Sequence, residues 1–145
     1  MIQKFEDVRN WSELRGIGGD ESKPLIDRLQ SQYQRVLQEA VEIHNAIVLK
    51  DWDEFVDAIG DTIVTLINLA KIKGLKAEDC LDSAFDVIEL RKGLTQEVGD
   101  FVRYNKLSKD DKLICDQKQG NPGEQYFLKE DITKLKPENF KKENK

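Results

Sequence analysis

Leu37-Gln38-Glu39-Ala40-Val41-Glu42-Ile43 and Asp57-Ala58-Ile59-Gly60-Asp61-Thr62-Ile63-Val64-Thr65-Leu66-Ile67-Asn68-Leu69 decide the fold. Both segments set acids among apolar residues at helical spacing. Glu39 and Glu42 are three apart, and Asp57 and Asp61 are four apart, so each pair shares one helical face. Their neighbours Leu37, Val41, Ile43, Ile59, Ile63 and Leu66 are core material. Carboxylates beside a core are costly unless a cation compensates them.

Outward from these segments, Ser22 as N-cap and Pro24 in the first turn predict a long helix running to about Leu49. Asp51-Trp52-Asp53-Glu54 is a capping-box pattern that starts a second helix, with Gly74 as its stop. Trp52, Phe55, Val56, Ile59, Ile63, Leu66, Ile67 and Ala70 are expected on its buried side. The tight link at Lys50–Asp51 makes the two helices antiparallel neighbours, so their acidic faces can meet.

Phe5, Val8, Trp11 and Leu14 predict a short helix at the start. It runs into Arg15-Gly16-Ile17-Gly18-Gly19-Asp20, which reads as a connector, since no Gly-Lys-Ser/Thr follows to make a P-loop. A further helix is expected from about Lys76 to Lys92 with Gly93 as its stop, and Arg91 and Lys92 in its last turn suit the helix dipole. Beyond it, Leu113–Asp116 and Gln125–Leu128 flank Gly120-Asn121-Pro122-Gly123 and predict a β-hairpin. The Lys- and Glu-rich end, 129–145, reads as a poorly ordered tail.

The 145 residues suit one domain with a real core, 1–103, and an extension, 104–145. A net charge of -5 argues against nucleic acid as a partner. No apolar run is long enough for a membrane span, and the acidic opening lacks a signal-peptide h-region, so a cytoplasmic location is expected. Cys80 and Cys115 form no Cys-x-x-Cys and read as reduced, structural thiols.

Four carboxylates on two adjacent helices fit a Mg²⁺ site, with Mn²⁺ as a substitute. The alternative is solvated helix surface, which spacing alone favours. No Asp-x-Asp-x-Asp-Gly loop exists for calcium. A ferritin-like iron site needs Glu-x-x-His, and Val41 stands three before the single histidine, His44.

A family resemblance bears on that choice. Glu39-Ala-Val-Glu42, fourteen residues, then Asp57-Ala-Ile-Gly-Asp61 resembles the MazG-type all-α nucleoside triphosphate pyrophosphohydrolases. Trp11-Ser-Glu-Leu-Arg15-Gly16-Ile17 resembles the opening of their short, phage-type forms. Ala84-Phe-Asp-Val-Ile-Glu-Leu-Arg91-Lys92-Gly93 and Gly99-Asp-Phe-Val102 resemble their later segments. The likeness spans roughly 5–103. Three positions depart from the pattern: Ala58 replaces a usual Glu, Gln38 a frequent Glu and Val87 a frequent Lys.

The resemblance implies an all-α bundle completed by homodimerisation, or a tetramer. It implies Mg²⁺-dependent hydrolysis of a nucleoside triphosphate, a deoxy- or non-canonical one, to the monophosphate and pyrophosphate. Glu39, Glu42 and Asp61 would be catalytic metal ligands, with Asp57 a fourth acid. Arg91 and Lys92 would neutralise phosphates, Asn68 would contact sugar or base, and Trp11 would stack on a base. Two competing readings stay open: a non-catalytic helical interaction protein with a surface acidic cluster, and a different helical, metal-dependent phosphohydrolase.

Overall fold

A computed structural model describes residues 2–89, 91, 93–96 and 98–118. Five α-helices account for most of them: α1 (Ile2–Leu14), α2 (Leu25–Leu49), α3 (Trp52–Ile72), α4 (Ala77–Ile88) and α5 (Lys109–Lys118). Two short strands, β1 (Gly93–Thr95) and β2 (Phe101–Arg103), form an antiparallel pair. The chain divides into two compact units, Met1–Ser83 and Ala84–Lys145.

The first unit is built on the α2–α3 hairpin. Lys50, in the left-handed region at φ 55°, ends α2, and its backbone N–H reaches the Ile47 carbonyl at 3.1 Å. Asp51 then caps α3 as its sequence pattern requires, its Oδ1 accepting the Glu54 N–H at 3.1 Å. The other expected cap is displaced. Ser22 lies before α2, its N–H held by Asp20 Oδ1 at 2.9 Å, and Pro24 takes the cap position. An aspartate two residues upstream draws the Ser22 amide into a local turn.

The interior of the hairpin is small: Ala46, Ala58 and Ile67 are buried, along with Gln32 and Asn68. The expected buried stripe of α3 is largely open. Val56 is 71% exposed, and Trp52, Ile59, Ile63 and Leu66 are also exposed. α2 and the shorter α1 cover only part of the circumference of α3, and the rest of its apolar stripe stays outside.

Helix α1 packs on α3. Glu13 pairs with Lys71, and Arg9 makes a fork to Glu78 at the start of α4, both bonds 2.6 Å. The Arg9 guanidinium, followed by backbone hydrogen bonding, holds the Glu78 carboxyl below the usual carboxylate range. A lowered acid contributes stability above its unfolded pKa, and that is lost as pH falls through the folded value. Arg9→Met is therefore expected to lower the melting temperature at pH 7. The gap should close in melts run at pH values below the ordinary carboxylate range.

In the second unit, Leu94, Leu107, Ile114 and Cys115 form a core flanked by Val102 and Tyr104. Two expectations are corrected here. Helix α4 ends at Ile88, and Gly93 begins a strand rather than stopping a helix; a Cβ there would fall on the Val102 carbonyl and the Phe101 ring. Arg91 thus lies past the helix, not in its last turn, so the dipole argument for it lapses. Leu113–Asp116 is not a strand but part of α5. Ser108 Oγ accepts the Asp111 N–H at 3.1 Å, and acids fill the first turn. That capping, with burial at 114 and 115, outweighs local strand propensity. The other arm of the expected hairpin, 125–128, and the tail lie outside the described residues.

Candidate functional site

Two polar stripes face each other across the α2–α3 hairpin. On α2, Arg28, Gln32, Arg35 and Glu39 recur at steps of four, three and four. On α3, Asp61, Thr65 and Asn68 recur at four and three. Both patterns follow the helical repeat and lie along one side of each helix. Gln32 Nε2 donates to the Thr65 carbonyl at 3.0 Å and ties the stripes together. All seven residues line one cleft of about 720 Å³. The glycine-rich turn and Trp11 line it too.

One pole of the cleft is acidic. Glu39 Oε2 is sealed from solvent and has no hydrogen-bond partner among the described residues. Burial, then the neighbouring Glu42, Asp61 and Asp57 carboxylates, push the Glu39 carboxyl above the usual carboxylate range. Of the four acids only Glu39 and Asp61 line the cleft, and Glu42, Asp57 and Asp61 are exposed. Among the described residues no three His, Cys, Asp or Glu side chains converge into a ready-made ion cage. Glu39 and Asp61 present hard carboxylate oxygens to this pole, the donor type that Mg²⁺ or Mn²⁺ takes.

Near the C-terminal end of α3, Asn68 is 4% exposed, and its Oδ1 has no partner among the described residues. A buried acceptor on a cleft wall asks for a donor. The opposite pole is basic. Arg15, Lys23 and Arg28 line it, Arg35 stands between the poles one helical turn before Glu39, and among the described residues none of the four forms an ion pair. Arg15 lies 4.3 Å over the Trp11 ring and donates to the Trp11 carbonyl at 3.2 Å.

Of the residues singled out in the sequence, Glu39, Asp61, Asn68 and Trp11 thus share one cleft, with Glu42 and Asp57 beside it. Arg91 belongs to the second unit, and Lys92 lies outside the described residues. The cleft's own cations were not among the expected site residues. Their signal was present: Arg28, Gln32 and Arg35 continue the face of Glu39 toward the start of α2. The glycine turn, expected to be only a connector, is cleft wall. Comparison with family models, with curated proteins and with solved structures finds no match.

Proposed function

We propose that the chain is a Mg²⁺-dependent nucleoside triphosphate pyrophosphohydrolase of the MazG-like kind, releasing pyrophosphate and a monophosphate. The observation that carries this reading is the Glu39 carboxylate. It is partly buried, has an oxygen without a partner among the described residues, and is crowded by three other acids. Such an arrangement is costly in the absence of a cation. The sequence resemblance assigns those same four acids to metal.

Glu39, Glu42 and Asp61 would hold the ion, with Asp57 as the supporting acid. When bound, a divalent ion neutralises phosphate charge and makes water acidic enough to attack near neutral pH. The chain's own groups supply the rest. Asn68 Oδ1 offers an acceptor to a sugar hydroxyl or a base N–H. Trp11, half exposed and already stacked by Arg15, offers a face to a base. The α2–α3 hairpin, tied by Gln32 to Thr65, keeps these groups at fixed separation. Arg91 and Lys92 remain assigned to phosphate by resemblance alone.

Open apolar residues on the outer faces of α2 and α3, including Tyr33, Val41, Val56 and Ile63, support a homodimer or tetramer. No described helix is long and apolar enough to cross a membrane. A panel of NTPs and dNTPs with Mg²⁺, scored for pyrophosphate release, tests the reading. Release from at least one nucleotide, abolished by chelator, is expected. A silent panel with no metal-dependent shift in melting temperature would instead favour the non-catalytic interaction protein.

A further inference from the structure

The basic pole of the cleft is built before any ligand arrives. Gly16, Gly18 and Gly19 have φ of 64°, 109° and 76°, a left-handed run that glycine adopts freely. The turn is seated on α3, where a Cβ at Gly18 would lie 3.0 Å from Ile72 Cγ1. Arg28 Nε donates to the Gly18 carbonyl at 2.9 Å. That bond fixes the guanidinium plane and commits one nitrogen, while its two terminal nitrogens make no hydrogen bond among the described residues. Arg15 is likewise held, over Trp11. Arg35 makes no side-chain hydrogen bond among the described residues, and it stands one helical turn from Glu39.

Two acids, Asp20 and Asp27, line the same rim, but neither ion-pairs with these cations among the described residues. The Asp20 carboxylate is turned to the Ser22 N–H. In a chain of net charge -5, Arg15, Lys23, Arg28 and Arg35 concentrate positive charge on one concave wall. The Asp20 carboxyl is held below the usual carboxylate range by its Ser22 hydrogen bonds first and by the Arg28 charge last. A planar, pre-oriented guanidinium suits the two oxygens of a phosphate.

We infer that Arg28 and Arg35, with Arg15 and the glycine turn, form a phosphate subsite that begins at the turn and ends beside the acidic pole. Eleven residues separate Arg28 from Glu39 on α2, a rise of roughly 16 Å, and four separate Arg35 from Glu39, roughly 6 Å. The subsite can thus take either the far end of a phosphate chain or a second phosphate carried elsewhere on a nucleotide. Only the naming of the ligand as a nucleotide rests on the function proposed above. The subsite itself requires no metal and no turnover.

The test is a calorimetric titration of the full chain in EDTA, at low and moderate salt. The probes are inorganic tripolyphosphate and adenosine 3′,5′-bisphosphate. At least one is expected to bind, more weakly as salt rises. Arg28→Gln and Arg35→Gln should each weaken binding about tenfold, the scale of a lost hydrogen bond to a charged group. Arg35→Gln matters most, because Arg35 makes no hydrogen bond or ion pair among the described residues and the bond that holds the Gly18 turn comes from Arg28. Glu39→Gln should leave binding as tight or tighter. Tighter tripolyphosphate marks the subsite as holding the phosphate chain, and tighter bisphosphate marks it as holding a second phosphate. Failure of both probes to bind, or equal binding by wild type and Arg35→Gln, overturns the inference. It would do so whether or not the protein hydrolyses nucleotides in Mg²⁺.

Discussion

Glu39→Gln is expected to cut pyrophosphate release by at least roughly 100-fold, since even changes to groups that only support a metal ligand cost ~10–100-fold. The same substitution should make the metal-free protein more stable. Glu39 carries a partly buried charge beside Glu42, Asp61 and Asp57, and its carboxyl is held above the usual range, first by burial and then by those acids. A raised acid contributes stability that is fully present below its unfolded pKa and is lost as pH rises through the folded value. Metal-free wild type should therefore lose stability as pH rises above the ordinary carboxylate range, and Glu39→Gln should flatten that fall.

Added metal gives the opposite ranking. At a concentration a hundredfold above its Kd, an ion that binds only the folded chain stabilises it by ~2.7 kcal/mol. Wild type should show such a gain and Glu39→Gln almost none. Thermal melts across pH, with EDTA and with Mg²⁺, check both halves. A glutamine variant that responds to Mg²⁺ as wild type does would remove the acidic pole from any metal-binding role.

Ala58→Leu should destabilise the first unit by ~1–3 kcal/mol, the usual cost of forcing methylenes into a filled interior. Ala58 is 0% exposed on α3. Its carbonyl also accepts the Thr62 Oγ1 hydrogen at 2.7 Å, so the backbone there is tied from both sides. Alanines at 46 and 58 allow close approach of the helices and leave little room to repack. The expected result is a lower denaturation midpoint at unchanged slope. Because the position shares a turn with Asp57 and Asp61, metal response should also weaken. An unchanged midpoint would mean that α2 and α3 are not closely packed at this level.

Much of the helical frame was legible because its signals are local. Asp51 caps α3 through its own side chain, and the alternation of apolar and polar residues sets the lengths of α2 and α3. That Glu39 and Asp61 line one cleft follows from the same local signals, a tight link between two periodic helices that lays their polar stripes side by side. Other features were not. Leu113–Asp116 carries strand-forming residues, yet a serine cap upstream and burial of Ile114 and Cys115 make it a helix. Gly93 looked like a helix stop but serves as the place where β2 can approach. Arg28 and Arg35 were passed over because solvated arginines and functional ones look alike along a helix.

The sequence by itself determined a helical protein organised on the hairpin of α2 and α3, with acids at helical spacing on both helices. Spacing and capping act within a few residues, and no distant contact is needed to evaluate them. Tertiary structure decided which of those acids is buried. It also decided that Trp11 and the glycine turn form a wall of the same cleft, and that Arg15, Lys23, Arg28 and Arg35 line it with them. Those facts depend on where α1 and the turn come to rest against α2 and α3. That is a question of packing between segments far apart in the chain, which local pattern does not encode.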